Sequence, residues 1–78
     1  MTIKTVLSTW TQLSTGNCAV KNFGTKKIFI GFGASAPTGF TPEQCFELDG
    51  NSQSSYVMDT GVWAISTKGN IEVTVQEF

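Results

Sequence analysis

Turn-forming residues divide this chain at short intervals, and no interval carries the 3.6-residue apolar period of a helix of ordinary length. The dividers are Thr15-Gly16-Asn17, Asn22-Phe23-Gly24, Ala36-Pro37-Thr38-Gly39, Asp49-Gly50-Asn51, Asp59-Thr60-Gly61 and Lys68-Gly69-Asn70. Each holds Gly, Asn or Asp, residues that tolerate positive φ or hydrogen-bond their own backbone. About seven candidate strands lie between them, the spacing of a sandwich or barrel. With 78 residues there is room for one domain, spanning 1–78. The expected fold is all-β: a small antiparallel β-sandwich or barrel-like domain.

The C-terminal segment carries the plainest strand pattern. Ile71, Val73 and Val75 fall on one face, and Glu72, Thr74 and Gln76 on the other. The preceding run, Val62 to Thr67, predicts a hairpin partner, with Gly69-Asn70 in the turn. In the first half, Ile28, Ile30 and Phe32 alternate with Phe29, Gly31 and Gly33, which predicts a central strand. Glycines on its second face imply a bend or the close approach of another backbone. The stretch from Ser35 to Glu43 is the longest irregular one and holds both prolines, Pro37 and Pro42, so it reads as an arch from one sheet to the other. The polar run Asn51 to Ser55 reads as a solvent-facing loop.

A chain this short buries roughly 60% of its unfolded surface, which leaves a marginal core. Disulfides, metals or oligomerisation usually reinforce such folds. Two cysteines and no histidine cannot complete a zinc site. Cys18 and Cys45 could pair, or could pack as reduced, small apolar residues. Oligomerisation is the reinforcement the composition favours.

The absence of histidine also argues against catalysis, because His is the usual group poised near neutral pH. Neither a Ser nor a Cys nucleophile has a base to activate it. Five lysines, no arginine and a net charge of −1 give no basic surface for nucleic acid. The pair Lys26-Lys27 reads as a solvated strand end. No segment approaches the roughly 20 apolar residues of a membrane span. Met1 to Leu7 lacks the apolar stretch of a signal peptide, so synthesis and folding in a cytosol are expected.

Two motifs carry chemical temptations. Asp59-Thr60-Gly61 matches the triplet of aspartic proteases, whose chemistry needs two aspartates sharing a proton. The chain is short for that fold, and Val62 stands where a small residue is usual. As a turn between strands the triplet needs no function. Glu43, Glu47 and Asp49 cluster before Gly50, yet Glu47 alternates outward from Phe46 and Leu48, as on a solvated edge. No catalytic residue, metal ligand or cofactor is expected.

Nine aromatics remain, a generous number for the length. Most must be core, but one or two should face a partner. Phe40, Tyr56 and Trp10 are the candidate contact residues. Exposed aromatics flanked by Asn, Gln or Asp would instead suit a carbohydrate-binding module that stacks on a glycan.

The run Trp10-Thr11-Gln12-Leu13-Ser14-Thr15-Gly16-Asn17-Cys18-Ala19-Val20-Lys21-Asn22 leads into a strand that ends Phe32-Gly33-Ala34-Ser35-Ala36-Pro37-Thr38-Gly39. This arrangement resembles small all-β proteins encoded among the virion genes of tailed bacteriophages. The resemblance spans the first half of the chain and, more loosely, its C-terminal strands. It implies a structural role as a capsid-decoration, head-fibre or tail-associated subunit that docks on another phage structural protein. It also implies a homo-oligomer, synthesised in the bacterial host cytoplasm and carried on the virion; a trimer is the first expectation for its size. No catalytic residues come with it.

Overall fold

A computed structural model describes residues 1–39 and 41–78 of the chain. Among these residues the chain forms eight strands: β1 (Thr2–Val6), β2 (Thr11–Ser14), β3 (Cys18–Asn22), β4 (Ile28–Phe32), β5 (Phe46–Leu48), β6 (Ser52–Tyr56), β7 (Val62–Ile65) and β8 (Ile71–Glu77). A single turn of 3-10 helix, Pro42–Gln44, precedes β5. The strands build two four-stranded antiparallel sheets, ordered β1-β8-β3-β6 (sheet A) and β2-β7-β4-β5 (sheet B). This strand order is the jelly-roll topology of a β-sandwich.

The core lies between the sheets and follows the period-2 alternation. Val6, Val20, Val73 and Val75 from sheet A face Leu13, Ile28, Ile30, Leu48, Val62 and Ala64 from sheet B. Strand β4 is central in its sheet, as its sequence predicts, pairing with both β5 and β7.

Three expectations about connectivity need correction. The segments Val62–Ile65 and Ile71–Glu77 do not form a hairpin: β7 pairs with β2 and β4, whereas β8 pairs with β1 and β3. The Lys68-Gly69-Asn70 turn therefore crosses from one sheet to the other. Most of the short turns cross in this way, because neighbours in sequence alternate between the sheets. Conversely, the long segment after β4 does not arch between sheets. It joins β4 to its own sheet neighbour β5 and folds back over the outer face of sheet B. Finally, Ser52–Tyr56 is no loop. It is a strand, regularly paired with β3 over five residues. The count is eight strands where the turn signals predict about seven.

The turn residues act as their chemistry predicts. Asn51 adopts a left-handed φ of 59° and donates its backbone N–H to the Gly24 carbonyl at 3.0 Å. Gly50 lies so close to the backbone of Thr25 that a Cβ would stand 2.5 Å from its carbonyl carbon. The Asn17 carboxamide accepts from the Met58 N–H at 2.9 Å, tying the β2–β3 turn to the segment after β6.

Candidate docking surface

The two outer faces of the sandwich differ. On sheet B the outward residues of β4 and β7, Phe29 and Ile65, are cross-strand partners and are only 4% and 8% exposed. The chain itself covers them. Pro37 and the indole of Trp10 close over Gly31, and the Trp63 Nε1–H donates to the Gly33 carbonyl at 2.9 Å. The close approach predicted from the glycines of this strand is thus made by the segment that follows it.

Sheet A has no such cover. The alternation of β1, β3, β6 and β8 directs Ile3, Lys21, Gln53 and Thr74 outward as one cross-strand row. Around this polar centre stand Ile3 at 62%, Phe23 at 41%, Val57 at 76% and Phe78 at 65% exposure. Met1, also exposed, flanks a shallow trough of about 550 Å³ whose walls include Ala19, Lys21, Gln53, Thr74 and Gln76. The result is a polar trough with an apolar rim.

Two of the candidate contact residues read from sequence, Trp10 and Tyr56, lie off this face. Trp10 is half-buried against Gly31 on sheet B. Tyr56 is half-buried and packs its ring on Phe32, with centroids 5.5 Å apart. Phe40 lies outside the described residues. The rim residues Ile3, Val57 and Phe78 escape a reading of the sequence alone, but each leaves a trace. Phe78, for example, continues the polar phase set by Glu72, Thr74 and Gln76, so it is an apolar residue on the wrong face for a solvated strand.

The chemical candidates do not converge. Asp59 is exposed in the bend between β6 and β7, as the turn reading predicts. Glu43, Glu47 and Asp49 are each exposed, and Glu47 pairs with Lys27 at 3.4 Å across β5 and β4. Among the described residues no three His, Cys, Asp or Glu gather as metal ligands. Cys18 and Cys45 are both free, Cys18 in the core and Cys45 half-buried beside the 3-10 turn. Burial pushes the Cys18 thiol up, a hydrogen bond from Ser14 opposes it, and the nearby Glu77 carboxylate adds to the rise. Burial likewise raises the Tyr56 phenol, again opposed by a hydrogen bond, from Ser54. Both groups are neutral at physiological pH, as packed side chains rather than reactive ones.

Comparison with protein-family models, with curated proteins and with solved structures found no match to this chain. The functional reading therefore rests on the geometry of its surface.

Proposed function

We propose that this protein is a non-enzymatic structural subunit that works by docking, with the outer face of sheet A as its contact surface. The single observation that carries this reading is the asymmetry of the sandwich. One outer face is covered by the chain's own loop, and the other presents Ile3, Phe23, Val57 and Phe78 to solvent. A fold with so small a core has little reason to leave large apolar groups around one face unless a partner covers them.

The setting we propose is the bacteriophage virion, where the subunit decorates the capsid or associates with head or tail. The jelly roll is compatible with this, since it serves viral capsid proteins and lectins alike, and fold alone does not choose between them. The surface favours docking over glycan binding. The trough on sheet A is lined by Met1, Ala19, Lys21, Gln53, Thr74 and Gln76 among others, with no aromatic among its walls, and the exposed rings of Phe23 and Phe78 stand on its rim beside the aliphatic Ile3 and Val57. Trp10, Tyr56 and Trp63 are occupied in intramolecular packing.

Electron microscopy of particles made without this gene tests the proposal, followed by adding back purified protein. The wild-type chain should restore the missing density, and an Ile3→Lys/Phe78→Lys double variant should not. Particles unchanged by the deletion would overturn the structural role. Equal restoration by the double variant would overturn the assigned face.

A further inference from the structure

The four edge strands of the sandwich are not equally protected. Free edges invite pairing with another chain, and proteins usually blunt them with charge, bulges or brevity. Strand β1 carries Lys4, which reaches inward to donate its ammonium to the Gln12 carbonyl at 3.1 Å. Strand β2 has a register irregularity between Gln12 and Ser14. Strand β5 is three residues long and carries the charged Glu47. Strand β6, Ser-Gln-Ser-Ser-Tyr, has none of these devices. It has no charge and no proline, and its register with β3 is unbroken from Ser52 to Tyr56.

A second observation falls on the same flank. Phe46 at the start of β5 is 68% exposed, although it pairs with Ile30 and so belongs to the inward phase of sheet B. Its ring rests on Phe32 at 5.6 Å, and Phe32 in turn packs on Tyr56 of β6. The side of the sandwich between β5 and β6 is therefore open, and its opening is aromatic.

We propose that two copies of this chain join along β6, antiparallel, about a two-fold axis at Ser54. The occupant is a second copy because the edge is self-complementary. Full overlap sets Ser52 opposite the partner's Tyr56, Gln53 opposite the partner's Ser55, and Ser54 opposite the partner's Ser54. No like charges meet, which would not hold for an edge bearing Lys or Glu. An isologous contact of this kind closes after two copies and leaves no unpaired repeat to grow a fibre. A two-fold axis normal to the sheet also keeps both outer faces on one side. Sheet A becomes an eight-stranded sheet with two apolar-rimmed faces side by side, so each contact with a larger particle is doubled. The joint deepens the docking reading and rests on it only in taking the chain to be an assembling one. It gives pairs where the first expectation from the sequence is a trimer.

Cysteine cross-linking tests the register, in a Cys45→Ser background. Directly opposed residues of an antiparallel pair have Cα atoms about 4.5–5.5 Å apart, within the reach of a disulfide. Under mild oxidation Ser54→Cys should give a covalent dimer in high yield. Ser52→Cys, whose own copies stand roughly 13 Å apart along the strands at about 3.4 Å per residue, should stay uncross-linked. Amide exchange on the unsubstituted chain gives a second readout: protection of residues 52–56 should rise with protein concentration. A dimer by light scattering that cross-links equally at both positions, or not at Ser54, overturns this joint and leaves the docking reading standing. A chain that is monomeric at every concentration, with exchange at β6 unchanged, overturns the joint. Loss of particle density on gene deletion is read separately and speaks to docking alone.

Discussion

Asn22 binds Leu48 across the sandwich: its buried carboxamide donates to the Leu48 carbonyl at 3.3 Å, joining β3 of one sheet to β5 of the other. The same amide group donates to the Lys26 carbonyl at 2.9 Å, and its oxygen accepts from the Gly24 N–H at 3.0 Å. A polar side chain with no solvent exposure thus satisfies three backbone groups at the point where the chain turns between the sheets.

Replacing it should be expensive, because the buried bond to the Leu48 carbonyl is lost together with two part-buried bonds that hold the turn. Asn22→Leu is expected to destabilise the fold by about 3 kcal/mol, the range in which loss of a buried hydrogen-bond network falls. Urea denaturation followed by circular dichroism measures this. A loss under about 0.5 kcal/mol, the size of an ordinary surface change, would show that the network contributes little.

Gly31 supports the cover over sheet B. A Cβ there would meet the ring of Pro37 and stand 3.2 Å from the Trp10 indole. Gly31→Ala should therefore push the covering segment outward and cost about 1–3 kcal/mol, as overpacking does. Tryptophan emission should shift to the red as Trp10 gains water. Unchanged emission and stability would mean that the segment shifts without losing its packing.

The two thiols should differ in reactivity. Cys45 is half-buried at the surface and Cys18 is sealed in the core. One equivalent of an aromatic disulfide reagent should react quickly with the native protein, and the second only as the protein unfolds. Two fast equivalents would place Cys18 outside the core.

Alkaline stability follows from the same burial. The folded state raises the pKa of Cys18 and of Tyr56, which are cross-strand neighbours, chiefly by desolvation. Both are neutral when protonated, so folding favours the protonated forms. Their contribution is fully present below the unfolded thiol and phenol values, about 8.5 and about 10. It is lost as pH rises through the higher folded values. The urea midpoint should hold steady from pH 7 to 8 and fall between pH 9 and 11. The Cys18→Ala variant should lose the earlier part of that fall. A midpoint flat to pH 11 would contradict the assigned burial.

Asp59→Asn should change neither stability nor assembly, since Asp59 stands exposed in a bend. A peptide-cleaving activity present in the wild type and lost in this variant would revive the protease reading of the triplet.

The all-β class, the β4 and β8 alternations and most turn positions were readable from residue types, because they depend on neighbours in sequence; the turn between β1 and β2, at Ser8 and Thr9, carries no Gly, Asn or Asp and was not. Partnership between strands was not. Lys68-Gly69-Asn70 reverses the chain equally well in a hairpin or in a crossing between sheets. The choice is made by where Ile71, Val73 and Val75 find apolar cover, which is a property of the whole fold. Strand β6 was hidden for a related reason: its inward positions include Ser52 and Ser54, so no apolar period announces it. The rim of sheet A was least legible of all. Ile3, Phe23, Val57 and Phe78 are scattered through the sequence: Ile3 lies in the cross-strand row, and the other three each follow the last residue of β3, β6 or β8, strand ends that only the fold brings together.

The central claim is that this face is buried against protein when the subunit is at work. Hydroxyl-radical footprinting of Ile3, Phe23 and Phe78, in the free protein and on assembled particles, measures it most directly. The account predicts strong labelling of all three in the free protein and marked protection on the particle, while Phe29 stays unlabelled in both. Equal labelling of the rim in the two states would contradict it.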